Sequence, residues 1–251
     1  MTAAEFKILQ ERWAQVLARP ILHGSHTSEQ EQEDREWCVM EATAYVAGLP
    51  WSDHPVCTCP TLTEFMISWN DSLPTDADRE RLLKPLIPKL VGTRGSAKLA
   101  ERRSYMALDW LIRMHTPKWL ELVPALQTHV IALRTLPEII DMAGAMAAGE
   151  RIRLAQTDAA AARAAAWAAA GAAAWAAARA AAGDAAWAAA RAAAWAAAGA
   201  AAWAAAGAAA RAAAGAAAWA AAGDALKPTT EWLQTSALDL FERMLAVSEP
   251  S

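Results

Sequence analysis

The chain has 251 residues, enough for one large domain or two small ones. It carries 23 Lys and Arg against 27 Asp and Glu, a formal net charge of −4, which argues against a general nucleic-acid binder. Three cysteines, an odd number, do not suggest a disulfide framework, and Met1-Thr2-Ala3-Ala4-Glu5 does not read as a secretory signal, so a reduced, cytoplasmic protein is expected.

In chain order, Thr2 with Glu5 makes a capping box. Phe6, Leu9, Trp13, Val16 and Leu17 then share one helical face up to Pro20. Ser28 is the expected cap of a second helix with an acidic start, Glu29 to Asp34, and a buried side of Trp37, Val39, Met40, Ala44 and Tyr45. Gly48-Leu49-Pro50 ends it. Trp51 to Pro60 is a proline-bracketed loop, followed by a short helix over 61–69. Asp76 starts a helix whose apolar face is Leu82, Leu83, Leu86, Ile87 and Leu90, with a kink expected at Pro85 and Pro88. Residues 97–115 form a strong helix, Pro117 suits the first turn of the next, and 124–133 and 137–154 continue in helical spacing. Pro228-Thr229-Thr230-Glu231 opens a last amphipathic helix through Trp232, Leu233, Leu238, Leu240, Phe241, Met244 and Leu245, which should dock on the rest.

Between these ordinary segments lies a tetrapeptide repeat, Ala-Ala-Ala-x, from Ala159 to Gly223. From Arg163 to Gly223 the x positions hold six Trp, six Gly and four Arg. Alanine gives up no side-chain entropy in a helix, so the stretch reads as helical. A period of four drifts about 40° per unit against 3.6 residues per turn. On one straight rod, roughly 100 Å long, the Trp residues would be smeared around the axis. Shorter helices are therefore expected, with Asp158 capping the entry and breaks at Gly183-Asp184 and Gly223-Asp224, giving helices near 159–182 and 185–222. Each indole can bury about 150–250 Å², too much apolar surface to leave in water six times over. Arg, Trp and Gly also share codons of the form NGG, so DNA slippage without selection at single positions is an alternative origin.

Outside the repeat, the 51–60 loop is the most chemically suggestive stretch. His54, Cys57 and Cys59, with Cys38 from the preceding helix, have the ligand types of a Cys₃His zinc site, although the spacing is C-x-C rather than C-x₂₋₄-C. Buried cysteines acting as small hydrophobes are the competing reading. Cys57 with His54 as a nucleophile and base is a further one. Glu41 and Asp53 could flank the loop, or cap helices, or meet Arg94, Arg102 or Arg103. No phosphate-cradling glycine loop, HExxH or GxSxG pattern occurs, so no catalytic residue and no cofactor beyond a possible zinc is assigned.

Cys38-Val39-Met40-Glu41-Ala42, Trp51-Ser52-Asp53-His54-Pro55, Lys84-Pro85-Leu86-Ile87-Pro88 and Leu90-Val91-Gly92-Thr93 resemble stretches of alanine-rich repeat hypothetical proteins of high-GC bacteria and their phages. The resemblance implies a helical body with an Ala/Trp repeat. That family has no established activity, so it implies no functional residue. The expected organisation is all-α: a helical body over 1–155, repeat helices over 156–224 packed as two or more helices, and a C-terminal helix over 225–251 docking on the body. The expected function is a non-enzymatic interaction or scaffold protein, with a protein partner or self-association, no nucleic acid and no membrane span. The alternative is a metal-binding protein or enzyme using His54, Cys57 and Cys59.

Overall fold

The computed structural model describes residues 6–26, 36–73, 75–167 and 226–248. Among them the chain is all-α, with no strand. No helix among them is long and apolar enough to cross a membrane.

The first helix, α1, is Gln10–Leu17. Phe6 to Leu9 is not helical, and the Leu9 amide bonds the Val46 carbonyl (2.8 Å) rather than continuing the helix upward. The expected single buried face is therefore only partly realised: Val16 is buried, but Leu9 and Leu17 are 42% and 53% exposed. The second helix, α2, is Val39–Val46, and the expected start at Ser28 falls outside the described residues. Its cap is Cys38, whose amide donates to the Glu41 carboxylate at 2.7 Å. Gly48 ends α2 with φ +72°, where its amide bonds Tyr45 O and the Leu49 amide bonds Ala44 O. A left-handed residue after the last turn satisfies carbonyls that the helix cannot.

Helix α3, Pro60–Ser72, starts on proline, whose missing N–H costs nothing in a first turn. Its far end is held by Arg79 of α4 (Asp76–Leu82), which is 4% exposed. Arg79 Nε donates to Asn70 O at 2.9 Å and Nη2 to Leu73 O, so a guanidinium takes the place of a C-cap. Pro85 and Pro88 do interrupt the next segment: a 3₁₀ turn, Lys84–Leu86, separates α4 from α5, Ile87–Leu90. Lys84, 7% exposed, points back at α1. Its ammonium donates to Leu17 O and Arg19 O and pairs with Glu80, and Glu80 accepts the Ile21 amide at 2.6 Å.

Helix α6, Ala97–Trp110, is capped by Ser96 Oγ on the Leu99 amide (3.1 Å). It passes without a break through a wide π-type turn, Leu111–His115, into α7, Thr116–Leu120. Pro117 explains the wide turn: it lacks the N–H that an α-turn would need, and its ring crowds the carbonyl four residues back. A 3₁₀ turn, Pro124–Leu126, leads into α8, Gln127–Arg134. Helix α9 is Met142–Trp167. Residues 137–140, expected to be helical, are not helical. Asp158 is also not a cap: it lies inside α9, and its carboxylate meets His129 Nε2 of α8 at 2.7 Å. The line drawn at 155/156 therefore falls within one helix. The breaks expected at Gly183-Asp184 and Gly223-Asp224 lie outside the described residues. The last helix, α10, is Lys227–Ala246.

Helix α2 packs on α1, α3 and α5; α3 on α6; α6 and α7 on α10; α7 on α8; and α8 on α9. The result is one continuous core that runs from Val16, Trp37 and Leu62 through Trp110 and Trp119 to Leu240 and Phe241. Phe65 meets both Trp69 and Trp110 edge-on, at 5.6 and 6.3 Å between ring centres. Each such fully buried aromatic contributes about 1.5–3 kcal/mol from apolar burial alone. The inner side of α9 is built differently. Ala145, Ala148, Ile152, Ala155 and Ala159 are buried at spacings of three and four, and small side chains let α9 lie close to α8.

Candidate functional site

The 51–60 loop is fastened at both ends and in the middle. Trp51 Nε1 donates to His26 O (3.0 Å). The Cys57 carbonyl accepts the amides of Gly92 and Arg94, both at 3.1 Å, and the Cys59 amide donates to Thr93 Oγ1 at 3.1 Å. Thr58 Oγ1 turns inward to Pro55 O and Thr63 Oγ1. The backbone of this loop is therefore stitched to the 91–94 turn, and Cys59 caps α3.

The four sequence-predicted ligands have different surroundings. Cys57 and Cys59 are sealed at 0% and 1% exposure, and Cys38, at 4%, sits at the start of α2. All three thiols are free. Burial, and after it the neighbouring Glu41 carboxylate, push the Cys38 thiol far above its ordinary value. Burial also raises Cys57. Both are thus held away from the thiolate that a nucleophile requires. His54 is on the surface with its side chain 56% exposed. Its Nδ1 is 2.7 Å from Asp53 Oδ1, and its Nε2 is 3.1 Å from Glu64 Oε1 of α3. Partial burial works against a charge there, but the bonds to Asp53 and then Glu64 outweigh it, and the imidazole is held above its usual range. Two carboxylate acceptors need two N–H donors, so the arrangement suits imidazolium rather than a ring with a lone pair to offer. The structure does not bring Cys38, His54, Cys57 and Cys59 together. Among the described residues, no three His, Cys, Asp or Glu are grouped to hold a metal ion.

Glu41 has the most enclosed carboxylate of this region, at 1% exposure. Oε1 accepts the His26 amide (2.6 Å), while Oε2 accepts the Cys38 amide and lies 2.9 Å from His26 Nδ1. Of the roles the sequence left open, Glu41 takes that of a helix cap. The signal for it was the Cys38-x-x-Glu41 spacing, a capping box with cysteine in the serine position. The His26 pairing had no sequence signal, because the two residues lie fifteen apart across a segment without periodicity.

Beside the loop, a cleft of about 440 Å³ opens between the first turns of α3 and α6. Thr61, Glu64, Arg94, Ser96, Glu101 and Ser104 are among its lining residues. Thr61 and Ser104 share the Ala100 carbonyl (3.0 Å each) and lie 2.9 Å apart. Their hydroxyls are thus bound up in tying α3 to α6. Arg103, one turn from Ala100, points elsewhere: Nε donates to Met244 O (2.8 Å) and Nη1 to Thr93 O (2.9 Å). One buried guanidinium thereby joins α6, the last turn of α10 and the turn that carries the cleft wall.

No protein-family model matches this sequence, no curated protein matches it, and no solved structure matches its fold.

Proposed function

We propose that this chain is a non-enzymatic interaction or scaffold protein, in which the helical body anchors the Ala-Ala-Ala-x segment and the tryptophans of that segment make the contacts, within the chain or against a copy. One observation carries the reading. Helix α9 runs from the body into the repeat without a break, with Ala155 and Ala159 at 1% and 0% exposure in the same core as the rest. The chain comes back at Leu226, 8% exposed, and enters α10, which packs on α6 and α7. A segment tied at both ends to one core transmits its contacts to that core. The five tryptophans beyond Trp167 supply apolar area that water would penalise heavily. The odd cysteine count supports a reducing, cytoplasmic setting.

The test replaces 168–223 by a Gly/Ser linker of about twenty residues, with a reach of roughly 65 Å, and compares it with the full chain by size-exclusion with light scattering and acrylamide quenching. The cut starts at 168 because Ala159 and Ala162 belong to the core. The expected result is a folded, monomeric linker variant and a full chain whose extra tryptophans are shielded. A monomeric full chain whose extra tryptophans quench as freely as indole in water refutes the reading.

A further inference from the structure

The cleft between α3 and α6 is lined by charges of both signs that are not spent on each other. Arg94 lies on the turn that forms one wall, Glu64 on α3 and Glu101 on α6. Arg94 and Glu101 are exposed, and among the described residues neither side chain is engaged in an ion pair. Glu64 has Oε1 at 3.1 Å from His54 Nε2, which fixes that carboxylate and leaves Oε2 for a further donor. The volume, about 440 Å³, is at the small end of the roughly 300–1,000 Å³ that ligand clefts span.

The buried polar lining is just as specific. Thr61 and Ser104 are 3% and 1% exposed. Their two hydroxyls carry two protons between them. Each oxygen lies 3.0 Å from the Ala100 carbonyl, and the two lie 2.9 Å apart, so both protons go to that carbonyl or to the neighbouring hydroxyl. What Thr61 and Ser104 can still offer a ligand is lone pairs, which call for an N–H or O–H donor. With Glu64 and Glu101 beside them, that donor is best a cation. Arg94 offers only donors, and so calls for an anion. A plain anion would meet two carboxylates, and a plain cation would meet the guanidinium.

We propose that this cleft binds a small zwitterion of the α-amino-acid class. Its ammonium donates to the Thr61 and Ser104 oxygens and to the Glu64 and Glu101 carboxylates, and its carboxylate takes Arg94. Pro60 and Ala100 give apolar wall to a short aliphatic side chain.

The test titrates the full-length, 15N-labelled chain with L-alanine and follows the amides of residues 61–64 and 94–104 by NMR. Three matched probes run beside it. Propionate lacks the ammonium, ethylammonium lacks the carboxylate, and N,N,N-trimethyl-L-alanine keeps both charges without an N–H donor. The expected result is saturable shifts in these two segments with L-alanine at millimolar concentration, and affinity at least about ten-fold weaker for each of the other three. Arg94→Gln and Glu101→Gln, both at exposed side chains, should each weaken L-alanine about ten-fold with Tm unchanged. Absence of saturable shifts up to about 50 mM overturns the proposal. Propionate or ethylammonium binding as well as L-alanine overturns it too, by showing a site for one charge alone. Equal binding of the trimethyl analogue removes the role of the two hydroxyls, and affinity unmoved by both variants places the ligand elsewhere; either result overturns the assignment.

Discussion

Arg103→Met asks whether α10 is held to the body as described. The native guanidinium is 4% exposed and donates two hydrogen bonds, to Met244 O at 2.8 Å and Thr93 O at 2.9 Å. Bonds from a charged donor contribute about 1.5–3 kcal/mol each, and the carbonyls left behind are penalised if water cannot reach them. Methionine keeps the apolar stem and removes a desolvated charge, which offsets part of the loss. The bond to Thr93 O is only part-buried, so that carbonyl can rehydrate. The net expectation is a loss of about 2–4 kcal/mol, read as a lower urea midpoint with an unchanged slope by circular dichroism. Hydrogen exchange should quicken first in residues 240–246 and in the 91–96 turn. Arg102→Met, one residue away and exposed, should stay within about 0.5 kcal/mol of the native chain. A loss for Arg103→Met no larger than for Arg102→Met, with unchanged exchange in α10, would refute the reasoning.

Gly48→Ala should cost about 1–2 kcal/mol in thermal melts: φ is +72°, and a Cβ would stand 3.0 Å from Leu9 Cδ1. Stability unchanged to within error would mean that the turn adopts another conformation in solution. His54 should titrate above 6.5 when its ring Cε1–H is followed by NMR, and Glu64→Gln or Asp53→Asn should bring the midpoint down. Because the folded value is raised, the stability that His54 supplies is complete below its unfolded value and fades as pH rises through the folded one. A midpoint indifferent to both substitutions would remove the paired geometry. The three thiols, buried and with Cys38 and Cys57 raised, should resist a thiol reagent in the native protein at pH 8 and react together in urea. Rapid native labelling of Cys57 would contradict the sealed loop.

Residues that pair with near neighbours were legible in the sequence. The kink at Pro85 and Pro88 and the apolar set Leu233, Leu240, Phe241 and Met244 of α10 follow from rules acting within two turns. Three features were not. The start of α2 at Val39, where Glu41 turns back on the Cys38 amide, was not read from the sequence, and the Ser28 start expected there lies outside the described residues. Asp158 looked like a cap because aspartate favours that role, but a partner on α8, His129, lets it stay inside α9. The zinc ligand types lay near one another in sequence, yet Cys57 and Cys59 turn into the core while His54 engages two surface carboxylates. Local spacing carries no information about the direction in which a loop turns its side chains.

The ammonium of Lys84 gives the N-terminal helix an unusual tether. Its side chain is 9% exposed, against 48% for Lys89 five residues on, because it is buried under the end of α1. An acylating reagent that takes Lys89 at once can reach Lys84 only after α1 has lifted away. The lag between the two labels is thus a clock for the detachment of the first helix, and the label on Lys84, once attached, would keep that helix from reseating.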